Sequence, residues 1–380
     1  MNVLMLSIDD GSLLVAQQGG RQQGDTIKRH IQYGRAVGCL DIIVTSKPGF
    51  NVEKLSEHVT VFPTNAKKSW GHYFATLRYA RELFERKKYS LIVAQDITSP
   101  AAWWLSYKYK IPYLVTTHGT DWGNPDLQRG LGRDIVLLLM KLAMRRSYGL
   151  RVVSSAVKDF YLNQGFKQPI EVIPTASDYT IFSKQSWGEV NEVREKFNSD
   201  YLILTVGRLE RVKNHPMLFK VLKLIQDSGL NIKLLIVGSG SLEKELKQQV
   251  KNFNLENNIV FLGSLAYEDM VPYVQACDVF VLSSNSESLG KVILEAGMSG
   301  KPVVTTDTLG AKGIITNSKN GFLVEKNDSK VMSEKVIKLL KDKSLRDQMG
   351  QMGKKNVLQN YDAKENIKKF VEFWYKVKIS

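Results

Sequence analysis

Short strand-like runs alternate with amphipathic, helix-like segments along almost the whole chain of 380 residues. Several of these runs are apolar at consecutive positions, for example VLMLSI, SLIVAQD, YLILTVGR and DVFVLSS. Consecutive apolar residues are typical of strands that are buried on both faces of a parallel sheet, with helices covering each face. Because the chain is too long for one typical domain, the alternation predicts an α/β protein with two doubly wound domains.

A cluster of Pro, Ser and Thr residues, PTASDYTIFSKQSWGE, interrupts the alternation near the middle of the chain. We therefore expect one Rossmann-like domain at 1–178 and a second at 179–360. After GFLVEKND the pattern is helical only, and we expect the last helix, 361–380, to pack back on the first domain. Ligands of open α/β sheets bind beyond the carboxyl ends of the strands, so a cleft between two such domains would hold the ligand.

The charge balance limits the classes of partner. There are 53 Lys and Arg residues against 38 Asp and Glu residues, a net charge of +15. The cations are spread over most predicted helices without interleaved aromatic residues, which does not favour a nucleic-acid partner. Small phosphate-bearing molecules and anionic membrane surfaces fit the charge equally well.

The cysteines and the apolar segments indicate where the protein works. Cys39 and Cys277 have no metal-binding or disulfide spacing, which is typical of a reducing compartment. No segment approaches the ~18 consecutive apolar residues of a membrane span, and the N-terminus lacks the features of a signal peptide. We expect a cytoplasmic protein that can act at the inner face of the membrane.

Two cations follow a strand in the segment TVGRLERVKNH. Arg208 and Lys213 lie in the loop before a helix that we expect to begin near Pro216. Cations beside a helix N-terminus can bind a diphosphate. The alternative is that both are solvated loop charges.

Two glycines end the next strand in the segment LLIVGSGSLEKEL. Gly238 and Gly240 could let a ligand approach the backbone, and Ser241 could cap the following helix. A tight strand-to-helix turn uses the same residues. Glu243 occupies the third glycine position of a dinucleotide fingerprint, which argues against a nicotinamide enzyme.

Two glutamates stand eight positions apart in the otherwise apolar or small-residue stretch SNSESLGKVILEAGMSGKPVV. We expect Glu287 in a loop, just ahead of a helix that begins between 288 and 290. Glu295 falls inside that helix among apolar residues. A carboxylate at the edge of a core needs hydrogen-bond donors, and the vicinal hydroxyls of a sugar or a ribose would provide them.

Together these motifs resemble the retaining glycosyltransferases of the GT-B fold, and family four (glycosyl transferases group 1) most closely. SESLGKVILEAGMSGKPVV is similar to the E-x7-E signature of that family, VGRLERVKN to its phosphate-binding loop and VGSGSLEKEL to its glycine turn. TTHGTDWG resembles its histidine loop. The resemblance covers nearly the whole chain and implies two Rossmann-like domains facing across a cleft, with C-terminal helices crossing back.

The resemblance also implies roles for individual residues in a site without a cofactor or a metal. Arg208 and Lys213 would bind the diphosphate of a nucleotide sugar, Glu287 the sugar and Glu295 the ribose. His118 would reach the sugar from the first domain. The other implied donor-binding positions are Gly24, Gly207, Gly238, Gly240, Ser288, Leu289, Gly290 and Lys291.

The chain departs from the family pattern at four places. Asn214 stands where a glycine usually follows the phosphate-loop lysine, and Leu289 stands where an aromatic residue is common. PTASD replaces Pro-Asn-Gly before the acid, which leaves the role of Asp178 open. The N-terminal glycine loop, QQGGRQQGDTIKRH, is also atypical. The acids Asp25, Asp96 and Asp121 are candidates for the acceptor side or for structural roles.

The resemblance implies a retaining glycosyltransferase (EC 2.4, hexosyltransferase type) that uses a UDP- or GDP-sugar. The acceptor would be a saccharide or a lipid-linked molecule in cell-envelope polysaccharide or glycolipid synthesis. The alternatives are a nucleotide-sugar epimerase of similar fold and an inactive, basic, membrane-associated scaffold. The segment DIVLLLMKLAMRRSYG, apolar beside Lys141, Arg145 and Arg146, favours peripheral membrane association, although such a helix more often just covers a sheet.

Overall fold

The computed structural model describes residues 1–9, 13–14, 17, 26–119, 131–184 and 186–379. The chain divides into two α/β units. Unit 1 comprises Met1–Ser177 and Ala363–Ser380, and unit 2 comprises Asp178–Asp362. These divisions lie within two residues of the boundaries expected at 178 and 360.

Unit 1 contains an eight-stranded sheet with the strand order β3-β4-β2-β1-β5-β6-β7-β8. All neighbouring strands are parallel except β3 and β4. The strands are β1 Asn2–Ser7, β2 Cys39–Val44, β3 Glu53–Ser56, β4 Val59–Pro63, β5 Leu91–Gln95, β6 Tyr113–Thr116, β7 Gly149–Val152 and β8 Ile170–Val172.

Helices cover both faces of this sheet. Those described are α1 Thr26–Val37, α2 Ser69–Arg86, α3 Ser99–Tyr109, α4 Leu131–Arg145, α5 Ser155–Asn163 and, from the end of the chain, α14 Ala363–Ile379. Right-handed connections place α1 on one face and α2, α3 and α4 on the other, where α3 packs between α2 and α4.

The helix α14 completes the core of unit 1. Phe370 and Trp374 pack against Tyr33 of α1, with ring centroids 5.4 and 5.5 Å from that of Tyr33. Trp374 is fully buried in a cluster with residues of β1, β2 and β5. The last helix therefore belongs to unit 1, although the whole of unit 2 precedes it in the chain.

Unit 2 contains a six-stranded, fully parallel sheet with the order β11-β10-β9-β12-β13-β14. Its strands are β9 Tyr201–Val206, β10 Ile232–Val237, β11 Ile259–Gly263, β12 Val279–Leu282, β13 Val303–Thr306 and β14 Gly321–Val324. Its helices are α6 Trp187–Phe197, α7 His215–Asp227, α8 Glu243–Asn252, α9 Val271–Ala276, α10 Lys291–Met298, α11 Leu309–Ile314, α12 Ser329–Lys341 and α13 Lys343–Asn360.

The expected α/β architecture is confirmed in both units. The run YLILTVGR forms β9 and DVFVLSS forms β12, and the chain after GFLVEKND is helical. The strand β3 was not expected from the sequence. Among the described helices, none is long and apolar enough to cross a membrane.

Candidate functional site

The strands β9, β10 and β12 are parallel neighbours, so the loops that follow them meet at one edge of the sheet of unit 2. These loops carry Arg208 and Lys213, the turn with Gly238 and Gly240, and Glu287. Their contacts decide which of the expected side chains lie together.

Lys213 and Glu287 form an ion pair between two of these loops. Lys213 ends a short 3₁₀ turn, Arg211–Lys213, and its Nζ contacts Oε1 of Glu287. Both side chains are largely buried, at 16% and 13% exposure. Gly207 makes room for the lysine, because a Cβ at Gly207 would lie 3.1 Å from Lys213 Cε. The structure thus brings together two residues that are 74 positions apart.

Hydrogen bonds fix the turn that carries Lys213. The hydroxyl of Ser283 donates to the carbonyls of Lys213 and Asn214, each at 2.9 Å. Asn214 has a left-handed backbone (φ 49°), and its amide donates to Asn285 Oδ1 at 3.3 Å and to Asn327 Oδ1 at 3.0 Å. Asparagine tolerates this conformation better than most residues, so it can replace the usual glycine and also tie three loops together.

Arg208 lies on the same loop with an exposed side chain. Nearby, the carboxylate of Glu210 accepts hydrogen bonds from Ser241 N at 2.9 Å and from Ser241 Oγ at 2.8 Å. These hydrogen bonds lower the pKa of Glu210. The expectation that Ser241 caps a helix is wrong, because α8 begins at Glu243, its N-cap is Leu242, and Ser241 is engaged by Glu210.

The glycines of the turn after β10 allow two backbones to approach each other. A Cβ at Gly238 would lie 2.0 Å from the carbonyl oxygen of Gly207, and one at Gly240 would lie 2.4 Å from that of Leu209. Leu209 N donates to Ser239 O at 2.9 Å across the same contact. These glycines therefore shape the loop that carries Arg208.

The loop after β12 leads into α10, which begins at Lys291, slightly later than expected. Glu287 also accepts from Ser284 Oγ at 2.7 Å. Gly290 is the N-cap with φ 72°, and glycine has no side chain with which to cap the first turn. The amides of that turn are consequently suited to an anionic or hydroxyl-bearing ligand. Leu289 is buried, and its backbone packs against Gly310.

Glu295 lies inside α10 and is only 5% exposed. Burial raises the pKa of its carboxyl to about 7, although Lys291 and a hydrogen bond with Tyr267 act in the opposite direction. The carboxyl is therefore close to its titration midpoint at neutral pH. A ligand that donates hydrogen bonds to this group would favour its ionised form.

The expected first-domain residue His118 follows β6 in unit 1. Its backbone N–H donates to the carboxylate of Asp96 at 3.3 Å. Asp96 is buried and has φ 39°. Asp178 accepts hydrogen bonds from the backbone and hydroxyl of Thr180, so it stabilises a local turn. Gly24, Asp25 and Asp121 lie outside the described residues.

The structure contains a polar cluster around His118 that was not predicted from the sequence. His118, His30 and Arg29 line one small pocket with Gln95. Burial alone would raise the pKa of Asp9, but the three basic groups and a hydrogen bond from Gln95 bring it below its usual value. The available signal was the position of Asp9, directly after the first strand.

No three His, Cys, Asp or Glu side chains are grouped to hold a metal ion in the part of the chain that the structure describes. The described loops at the edge of unit 2 instead offer cations and backbone amides. Such groups can bind a phosphate-bearing ligand directly.

Two family models match the chain. Residues 189–356 match the family described as glycosyl transferases group 1, and residues 40–180 match glycosyltransferase family 4. A capsular polysaccharide biosynthesis glycosyltransferase of Staphylococcus aureus, CapM, is 29% identical over 242 residues, which are 62% of this chain and 63% of CapM. This chain thus spans less than two thirds of the length of that relative.

Solved structures resemble the whole chain in fold. A sucrose-phosphate synthase from Thermosynechococcus elongatus has a TM-score of 0.84 at 18% identity, covering 99% of both chains. HepE of Anabaena in complex with UDP has a TM-score of 0.78 at 20% identity, covering 99% of this chain and all of that one. At these identities the likeness establishes the fold.

Proposed function

Because the chain belongs to the group 1 glycosyl transferases of family four, we propose that it transfers a sugar from a nucleoside-diphosphate sugar to an acceptor. The proposed acceptor is a saccharide or a lipid-linked molecule of cell-envelope polysaccharide or glycolipid synthesis. The relative CapM, which is named for capsular polysaccharide biosynthesis, supports this setting. The single observation that carries the proposal is the ion pair of Lys213 with Glu287 at the strand-end edge of unit 2.

The proposed donor lies across the loops of this edge. Arg208 and Lys213 bind the diphosphate, and the uncapped amides of α10 stabilise its negative charge. Glu287 accepts hydrogen bonds from sugar hydroxyls and, with Ser284, orients Lys213. Glu295 accepts from the ribose hydroxyls. The leaving group is thus stabilised by fixed charges, and the proposed reaction requires no metal.

The proposed reaction retains the configuration at the anomeric carbon. The bond between that carbon and the β-phosphate oxygen breaks, and the nucleoside diphosphate leaves with the electron pair. The acceptor oxygen attacks the same face of the sugar, and its proton passes to the departing phosphate. The rate then depends on how well Arg208, Lys213 and the amides stabilise charge on the phosphate.

Thermal unfolding in the presence of nucleotides tests the donor site. We expect UDP or GDP to raise the melting temperature, since a ligand at 100 times its Kd adds about 2.7 kcal/mol to the free energy of unfolding. The increase should be the same with EDTA. ADP and the matching nucleoside, which lacks phosphates, are the controls. No increase with either UDP or GDP would contradict the proposal, and an increase abolished by EDTA would contradict its metal-free form.

The raised pKa of Glu295 predicts a pH dependence that Glu295→Gln removes. Folded protein keeps this proton up to about pH 7, whereas the unfolded chain loses it near pH 4.5, so the wild-type free energy of unfolding falls as pH rises between these values. The difference in free energy of unfolding between Glu295→Gln and wild type should therefore shift by roughly 3 kcal/mol in favour of the variant from pH 4 to pH 8. Urea unfolding at both pH values measures this change.

Nucleotide binding provides the matching test of the ribose contact. Hydroxyl donors favour the carboxylate, so the affinity of the wild type for UDP or GDP should rise as pH increases through about 7. A 2′,3′-dideoxy nucleotide and Glu295→Gln should each lose the part of this pH dependence that comes from Glu295, which leaves only the ionisation of the nucleotide's own phosphate. A pH profile that is unchanged in the variant would assign Glu295 to the fold alone.

A further inference from the structure

The helix α4 is apolar on both of its sides. Met140 and Met144 are buried against the unit. The opposite side also carries apolar residues, spaced three and four apart and exposed to solvent: Ile135 (57%), Leu138 (57%), Leu139 (43%) and Leu142 (36%). The outer side of a helix in a water-soluble domain is normally polar. The ordinary interpretation, that this helix only covers the sheet, accounts for its inner side alone.

The two neighbouring helices on the same face of the sheet add exposed aromatic residues. Trp70 and Phe74, in the first turns of α2, are 65% and 62% exposed. Trp104 and Tyr107, on α3, are 41% and 72% exposed. We call these residues, with the exposed side of α4, the apolar face of unit 1. Apolar residues exposed on three adjacent helices mark an interaction surface.

Cations accompany the aromatic residues on this face. The ammonium of Lys108 lies 4.9 Å from the ring centroid of Trp104, and that of Lys110 lies 4.4 Å from that of Tyr107. Arg146, directly after α4, lies 5.3 Å over the ring of Trp103. The expectation that the cations lack neighbouring aromatic residues is therefore wrong for α3. The helix α3 contains no acidic residue, and α4 carries one, Asp134, in its first turn.

We infer that the apolar face of unit 1 docks on a lipid bilayer that contains anionic phospholipids. Leu and Ile side chains of α4 enter the acyl boundary, Trp and Tyr lie at the headgroups, and Lys and Arg contact lipid phosphates. A two-fold dimer through this face would bring like charges together. Single-stranded nucleic acid could use the aromatic–cation pairs but not the aliphatic side chains of α4. The inference does not depend on the donor site.

Sedimentation with vesicles tests the inference. We expect wild-type protein to bind phosphatidylcholine vesicles that contain about 30% phosphatidylglycerol. Its binding to vesicles of phosphatidylcholine alone should be at least about 10-fold weaker, because each cation near the surface favours anionic lipid. Added salt should weaken binding to the anionic vesicles. Failure of the wild type to bind anionic vesicles would overturn the inference.

Matched variants separate this face from the general charge of the protein. Leu138→Glu should weaken binding to anionic vesicles at least about 10-fold, since it removes one inserted side chain and adds a charge. Leu358→Glu, at 54% exposure on α13 of unit 2, makes the same change elsewhere and should leave binding unaltered. Trp70→Ala should weaken binding, whereas Trp187→Ala, equally exposed at 65% on α6, should not.

Three further results would overturn the inference. The first is an equal loss of binding in the matched variants. The second is a concentration-dependent dimer that Leu138→Glu abolishes while vesicles are not bound, which would assign the face to a second copy. The third is binding of a single-stranded oligonucleotide but not of vesicles. Nucleotide-induced stabilisation, measured in the same variants, should be unchanged and reports separately on the proposed function.

Discussion

Lys213→Ala is expected to lower the turnover of sugar transfer at least about 100-fold, the usual cost of removing one group that stabilises developing charge. The variant loses the cation that faces the departing diphosphate. It also leaves the carboxylate of Glu287, 13% exposed, without its ion-pair partner beside the site of the phosphates. Both changes oppose the accumulation of negative charge. Steady-state kinetics measures the effect, with a nucleotide sugar that carries the nucleoside diphosphate found to stabilise the protein.

The control for this variant is Lys220→Ala, which removes the same charge from an exposed position of α7. Its turnover should stay within about twofold of wild type, as for most surface substitutions. The double variant Lys213→Ala, Glu287→Gln should lose less than the sum of the two single effects, because the residues act as a pair. Near-normal turnover in Lys213→Ala, with correct folding, would contradict the assigned role.

Gly238→Ala is expected to destabilise unit 2 by roughly 3 kcal/mol or more, since an overpacked contact and a strained backbone add together. The new Cβ would lie 2.0 Å from the carbonyl oxygen of Gly207, at a backbone φ of 138°. Either the turn or the Arg208 loop must move. Urea unfolding should show the loss of stability, and the stabilisation by UDP or GDP should fall with it.

Gly229→Ala distinguishes the contact from the backbone conformation. Gly229 also has a positive φ, 82°, but a Cβ there would meet no atom within 4 Å. It should therefore cost only the conformational penalty, about 1 kcal/mol, and leave nucleotide binding intact. Equal effects of the two substitutions would show that the close approach to Gly207 is unimportant.

The α/β architecture could be predicted because its strands are buried on both faces and so read as uninterrupted apolar runs. The strand β3 gave no such signal. Its sequence, EKLS, is short and polar, and it pairs antiparallel with β4 at the edge of the sheet, where no residue is buried. Its formation depends on the neighbouring strand, which local sequence cannot reveal.

The site could be predicted only in part. That Lys213 and Glu287 lie in strand-end loops follows from the sequence, because each lies in the segment between an apolar run and the next helix-like segment. Their ion pair does not, because it depends on the pairing of β9 with β12 across two intervening strands. The same limit explains the error about Ser241, whose partner Glu210 lies on the adjacent loop. Arg29 and His30, on α1, carry no local signal that they lie near His118.

The position of α14 in unit 1 has a consequence for synthesis. Residues Asp178–Asp362 form unit 2 without help from later residues, so this part can fold as soon as it leaves the ribosome. Unit 1 begins earlier but must wait, because the pocket that holds Trp374 stays open until α14 has emerged. The second unit made is thus the first that can be completed.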